Sequence, residues 1–158
     1  MIRTVQTEII TETIKKMCIE ANYSLSSDMV KAMRKAEEKE ESVLGKQILA
    51  QLQDNLEIAA SDMIPICQDT GMAVVFLEVG QDVHFEGGSF EDAVNEGVRR
   101  GYTEGFLRKS VVGDPILREN TKDNTPAVIH TRIVEGDRVK ITVAVSYTHL
   151  RAHRDRTR

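Results

Sequence analysis

The chain has 158 residues, a net charge of -4 and 29% charged residues of both signs interspersed, which suits one domain with a sizeable core or part of something larger. No basic face marks a nucleic-acid or anionic-membrane partner, and no apolar run reaches the roughly 18 residues of a membrane span. Two cysteines, Cys18 and Cys67, make no disulfide framework, and with no apolar leader at the N-terminus a cytoplasmic protein is predicted.

Val5, Ile9, Ile10, Ile14, Met17, Cys18 and Ala21 recur at spacings of three and four. They predict a helix over 5–21 with Cys18 on its buried stripe. Residues 22–26 break the pattern. Ser27 or Asp28 reads as the cap of a second helix, whose narrow apolar face is Met29, Val30, Met33 and Ala36. The run 35–41 reads as solvated helix surface, with Glu and Lys in mutual reach. Leu44, Ile48, Leu52, Leu56 and Ala59, flanked by Val43 and Leu49, predict a third helix over 43–60. Three helices in succession predict a helical layer built before any sheet.

Pro65 then breaks the chain, and Ile66-Cys67-Gln68-Asp69-Thr70-Gly71 follows. A thiol, an amide, a carboxylate and a hydroxyl stand side by side at the mouth of an apolar run. Loops held by rigid elements are where chemistry concentrates. The plainer reading is a turn, in which Asp69, Thr70 and Gly71 supply turn chemistry and Cys67 is a small buried hydrophobe. The run that follows predicts a strand over 72–79, and its lack of alternation predicts cover on both faces.

Residues 80–89 read as a glycine-rich connection holding a solvated His84. Ser89 with Asp92 resembles a capping box for a helix over 90–104, with Phe90, Ala93, Val94, Gly97 and Val98 as its buried stripe. Residues 105–125 are irregular and polar. A connection of that length inside a domain is typically functional or disordered. Val111, Val112, Ile116 and Leu117 are expected to anchor it, which favours function. Residues 127–134 and 138–145 are joined by Glu135-Gly136-Asp137, and Val139, Ile141 and Val143 alternate with Arg138, Lys140 and Thr142, which predicts a hairpin with one core face.

The last residues change character. Apolar periodicity stops and basic residues crowd in. Val145 to Leu150 reads as the in-frame translation of a transposon adapter used in library preparation. The native sequence is therefore expected to stop near Ala144, with 145–158 as a non-native tail outside fold reasoning. His149 and His153 are accordingly not recruited as ligands.

Three motifs in order carry a resemblance: Cys67-Gln68-Asp69-Thr70-Gly71, then Leu107-Arg108-Lys109-Ser110, then Asn120-Thr121-Lys122-Asp123-Asn124-Thr125-Pro126-Ala127 with His130. Together they resemble the class I iron–sulfur hydro-lyases, which include the oxygen-sensitive fumarate hydratases and the α subunit of L-tartrate dehydratase. The resemblance runs from near residue 5 to Ala144. It implies an α+β fold, with N-terminal helices followed by a mixed β-sheet under helical cover, as the N-terminal part (1–144) of a truncated hydro-lyase α domain.

It also implies a [4Fe–4S] cluster held by three well-separated cysteines, of which Cys67 matches the first. The open fourth iron acts as a Lewis acid on the substrate hydroxyl and carboxylate. By the same resemblance Asp69 belongs to the acid–base apparatus, and Gln68 and Arg108 bind a dicarboxylate, the latter through its planar fork. Thr70, Asn124 and Thr125 line or support the site. The partners implied are a small C4 dicarboxylate, a β subunit and further copies of the enzyme, without nucleic acid or membrane.

The departure is equally plain. The other two cluster cysteines and the remaining acid–base residues fall outside this chain, and Cys18 is committed to the core. The chain is therefore expected to be inactive alone. Two other readings stay open: Cys67 as a nucleophile paired with His84 or His130, and a non-catalytic interaction domain whose polar loops are turns.

Overall fold

The computed structural model describes residues 2–67 and 71–145. Its first element is a short strand, β1 (Arg3–Gln6), which leads directly into helix α1 (Thr7–Tyr23). Helices α2 (Ser27–Lys39) and α3 (Val43–Asp62) follow. Then come β2 (Val74–Gly80), β3 (Val83–Glu86), α4 (Phe90–Glu104), β4 (Val128–Val134) and β5 (Val139–Ala144). This is an α+β architecture, as expected, with two sheets instead of one.

The core forms where α1 and α4 cross. Ile10, Ile14 and Cys18 of α1 meet Val94, Val98 and Tyr102 of α4, and Val75, Leu77 and Val79 of β2 close the cluster beneath them. The helices approach closely because α4 presents glycine at the crossing. A Cβ on Gly97 would stand 2.7 Å from the Thr11 carbonyl oxygen and 2.9 Å from the Ile14 Cβ, and one on Gly101 would stand 2.9 Å from the Cys18 Cβ. The Thr11 hydroxyl donates to the Ala93 carbonyl at 2.9 Å. On the wet side Arg100 pairs with Glu8, Glu12 and Glu96, and Lys15 with Glu12 and Glu104. The Ser89 cap is confirmed, its hydroxyl accepting from the Asp92 N–H at 3.3 Å.

Four sequence expectations need correction. First, residues 80–89 are not only a connection. They hold β3, which pairs in parallel with β1, so the exposed His84 sits on a strand opposite Thr4. Four-residue edge strands carry too little periodicity to announce themselves.

Second, residues 127–145 do not form a hairpin. The larger sheet has the order β4-β2-β5, with β2 parallel to β4 and antiparallel to β5. The apolar β2 takes the centre, where both of its edges are paired. The 135–138 connection folds over the end of β2: the Gly80 N–H donates to the Arg138 carbonyl at 2.7 Å and the Asp82 N–H to the Gly136 carbonyl at 3.0 Å. A side chain at Gly80 would collide with that loop, since its Cβ would lie 2.3 Å from the Gly136 oxygen.

Third, β2 is covered fully on one face only. Phe76 on the other face is 47% exposed and stacks on His130, with ring centroids 5.1 Å apart. Fourth, the cap of α2 is Ser26 instead of Ser27 or Asp28, and the α2–α3 pair is not a buried layer. α2 buries no side chain and α3 buries only Ala59, while Leu44, Ile48 and Leu52 face solvent. The expected non-native tail lies mostly in residues 146–158, outside the described residues. Val145, just before them, is buried in the core.

Candidate active site

The loop carrying Cys67 is tied down on its N-terminal side by two helices. The Ile66 N–H donates to the Asn22 carbonyl at the end of α1 (2.8 Å), and the Asn55 side chain of α3 donates to the Ile66 carbonyl (3.2 Å). Cys67 follows at once and is exposed. Gln68, Asp69 and Thr70 lie outside the described residues. Gly71 resumes with φ 60°, a left-handed backbone that glycine adopts without cost.

Arg108 is exposed and follows the buried Leu107 at the start of the second motif, just after α4. Its neighbours Ser110 and Val111 are fastened to the third motif by Asn124, whose Oδ1 accepts from both backbone N–H groups at 2.7 and 3.1 Å. The same side chain reaches the first motif: its Nδ2 donates to the Gly71 carbonyl at 3.1 Å. Asn124 is fully buried and itself left-handed, with φ 62°. One carboxamide thus joins all three sequence motifs. Asn120 adds a second link, donating to the Lys109 carbonyl at 2.8 Å.

The third motif rests on α4. Arg99 reaches Asp123 at 3.0 Å, and the Asn95 Oδ1 accepts from the Ala127 N–H at 2.9 Å. Asp123 also accepts from the Thr125 N–H (3.0 Å) and hydroxyl (2.8 Å). Burial works against its charge, yet the Thr125 donors, Arg99 and Thr121 together hold its carboxyl down to about 2. The Tyr102 hydroxyl lies beside the Asn124 amide and the Cys18 thiol, although its placement falls short of hydrogen-bond geometry among the described residues. Burial, with the nearby Cys18, raises that phenol well above its usual range, Asn124 pulling weakly the other way.

Val112, Ile116 and Leu117 do not anchor the long loop. Ile116 is 86% exposed, at a turn where the Ile116 and Leu117 N–H groups donate to the Asp114 carboxylate. The anchors are Leu107, Val111, Asn124 and Thr125, all buried. Sequence reasoning also missed Asn95, Arg99 and Asp123. Their one signal was the four-residue spacing of Asn95 and Arg99 beside the apolar stripe, which does not name the partner. Four non-glycine residues of this stretch, Phe106, Arg118, Lys122 and Asn124, have left-handed φ values. Such strain persists where the surroundings over-determine it.

For a metal centre the described residues offer one accessible thiol. Cys18 is fully buried, and burial pushes its thiol up to about 12, so it supplies no thiolate. Among the described residues no group of three or more His, Cys, Asp or Glu converges. A four-iron cluster does not fit on one thiolate, and the chain alone does not complete such a centre.

Helix α4 thus supports the third motif, and Asn124 ties the second and third motifs to the first at the entry to β2. The family model described as fumarate hydratase (fumerase) matches residues 11–146, and the chain belongs to that family. It is 34% identical, over 73% of its length and 40% of the relative's, to a putative L(+)-tartrate dehydratase subunit alpha of Methanocaldococcus jannaschii. It is 39% identical, over 60% of its length and 18% of the relative's, to the anaerobic class I fumarate hydratase of Escherichia coli. Against the L(+)-tartrate dehydratase subunit alpha of Escherichia coli the identity is 25%, over 85% of the chain and 45% of the relative. The chain spans less than half the length of these relatives. Among the described residues no helix is long and apolar enough to cross a membrane.

Proposed function

We propose that this chain is the N-terminal part of an iron–sulfur hydro-lyase that adds water reversibly across the double bond of a C4 dicarboxylate, fumarate to L-malate. The observation that carries the reading is the Asn124 carboxamide, which bonds to Gly71, Ser110 and Val111 and so draws the thiol loop and the arginine loop together. In the assembled enzyme Cys67 is one of three cluster ligands. Arg108 takes one substrate carboxylate in its fork and Gln68 hydrogen-bonds a carboxylate. Asp69 carries the proton that accompanies the departing hydroxyl as water, and Thr70 and Thr125 support it. The remaining ligands and acid–base groups come from outside this chain, so the chain alone is inactive. A cytoplasmic enzyme with a β subunit is the setting we infer.

Dehydration of L-tartrate is the second reading, supported by the 34% identity with the M. jannaschii subunit, 40% of which the alignment covers. One experiment separates these. The chain continued to the length of its relatives is reconstituted anaerobically with iron and sulfide, and its visible absorption and its turnover of malate and tartrate are measured. Brown colour with malate turnover, both lost in Cys67→Ser, is the expected result. Preference for tartrate selects the second reading. Colour and turnover that survive Cys67→Ser overturn both.

A further inference from the structure

Three loops converge on Asn124, which the sequence marks only as one supporting residue among several. We propose that Asn124 is a positioning residue: its side chain is a clasp that sets the spacing between the Cys67 loop and the Arg108 loop. The proposal rests on the reading that those two loops serve one site, and it goes further by naming what aligns them.

The chemistry of the carboxamide suits the task. Its oxygen has two lone pairs and its nitrogen two hydrogens. The oxygen takes the Ser110 and Val111 N–H groups and the nitrogen gives to the Gly71 carbonyl, so acceptor and donor face different loops. An aspartate could serve only the first loop, and a serine is too short to span both. The position also demands a left-handed backbone, which asparagine tolerates better than most side chains.

The clasp is itself held. On one side of it Asp123 is fixed by Arg99, and on the other the Ala127 N–H is fixed by Asn95. Both come from α4, four residues apart on one face of the helix that forms the core with α1. The fully buried Tyr102, one turn further along α4, has its hydroxyl near the Asn124 side chain. Buried amides of this kind are costly to leave unpaired, so a loop that shifted would have to break several bonds at once. The rigid helix pair thereby fixes the backbone at Gly71 and at Ser110–Val111, next to the two loops' functional residues.

The test uses the chain as it is, without iron, so it is independent of cluster assembly. A nitroxide is placed on Cys67, Cys18 being buried, and amide exchange and paramagnetic broadening are followed by NMR. In Asn124→Ala the Ser110 and Val111 amides exchange about tenfold faster, and their broadening by the nitroxide changes, while Val98 in the core is unaltered. In Asn124→Asp the Ser110 and Val111 protection is retained and only the broadening changes, because only the bond to Gly71 is lost. Asn95→Ala, which touches neither loop, repeats the alanine result at smaller amplitude and stands in for it should Asn124→Ala not fold. Unchanged broadening in Asn124→Asp, or acceleration of Val98 together with Ser110 in each variant, overturns the clasp. Colour and turnover of the full-length enzyme that survive Cys67→Ser, with the clasp intact, overturn instead the reading on which it rests.

Discussion

Two pairs of helices in this molecule start from similar sequence patterns and end differently. α2 is as strongly amphipathic as α4. Yet α4 buries six residues against α1 and the sheet, whereas α2 buries none and α3 only Ala59. The first pair has glycines at its crossing, a shared apolar cluster and Arg100 held by three carboxylates. In the second pair Gln53 donates to Glu37 and Val30 and Leu56 line a shared groove, while α3 meets the rest of the molecule only lightly, through the buried Ala59 and the Asn55–Ile66 hydrogen bond. An apolar stripe states that a helix can be covered. Whether it is covered depends on what the rest of the chain brings to it.

Matched substitutions put that contrast at risk. Truncation of the buried Ile14 to alanine leaves a cavity beneath α4 and costs about 2–5 kcal/mol, read as a lower urea midpoint. The same truncation at Ile48, 49% exposed on α3, changes stability by less than about 0.5 kcal/mol. Equal losses at the two positions would mean that the α3 stripe is covered in solution, and the comparison would fail.

Glycine-to-alanine changes sharpen it next. At Gly97 the new methyl meets the Thr11 backbone and Ile14, which cannot yield without moving α1, so a loss of about 1–3 kcal/mol is expected. At Gly45, near the start of α3, it meets only the flexible Glu40 side chain. There the relief of glycine's excess unfolded-state entropy leaves the chain between about 0 and 1 kcal/mol more stable. Opposite signs in thermal melts support the contrast between the pairs.

The smallest effect extends the comparison to the loop that α4 carries. The folded-state carboxyl of Asp123 is held at about 2, below its ordinary 3.8. A depressed acid contributes stability above its unfolded pKa and loses it as pH falls through the folded value. With the side chain 25% exposed, the contribution is on the order of 1–2 kcal/mol. Asp123→Asn should therefore be less stable than the parent above pH 4, by an amount that shrinks toward pH 2 and vanishes below it. Denaturation curves across that range check it, and a pH-independent difference would argue against a charged anchor.

The site was partly readable beforehand, for a physical reason. Cys67 announced itself because a thiol beside polar residues at the mouth of an apolar strand is chemically odd, and the structure leaves it exposed on a doubly tethered loop. The roles assigned to Gln68, Asp69 and Thr70 fall outside the described residues. Asn124 was legible as a supporting residue, but its three partners lie 13 to 53 residues away. No local pattern encodes such partners. The expected anchors Ile116 and Leu117 failed for the converse reason, since two apolar residues at a turn can as readily be left in water.

What the sequence determined by itself was the set of local elements: α1, α3, α4, the apolar β2, the Ser89 cap and the committed, buried Cys18. Each is specified by contacts within a few turns of chain, where periodicity and capping act directly. Tertiary structure alone decided that β2 separates β4 from β5, that β1 finds β3, that the α2–α3 face stays wet, and that one asparagine gathers three loops. Those outcomes are settled by competition among distant surfaces for the same partners, and the winner depends on every element at once.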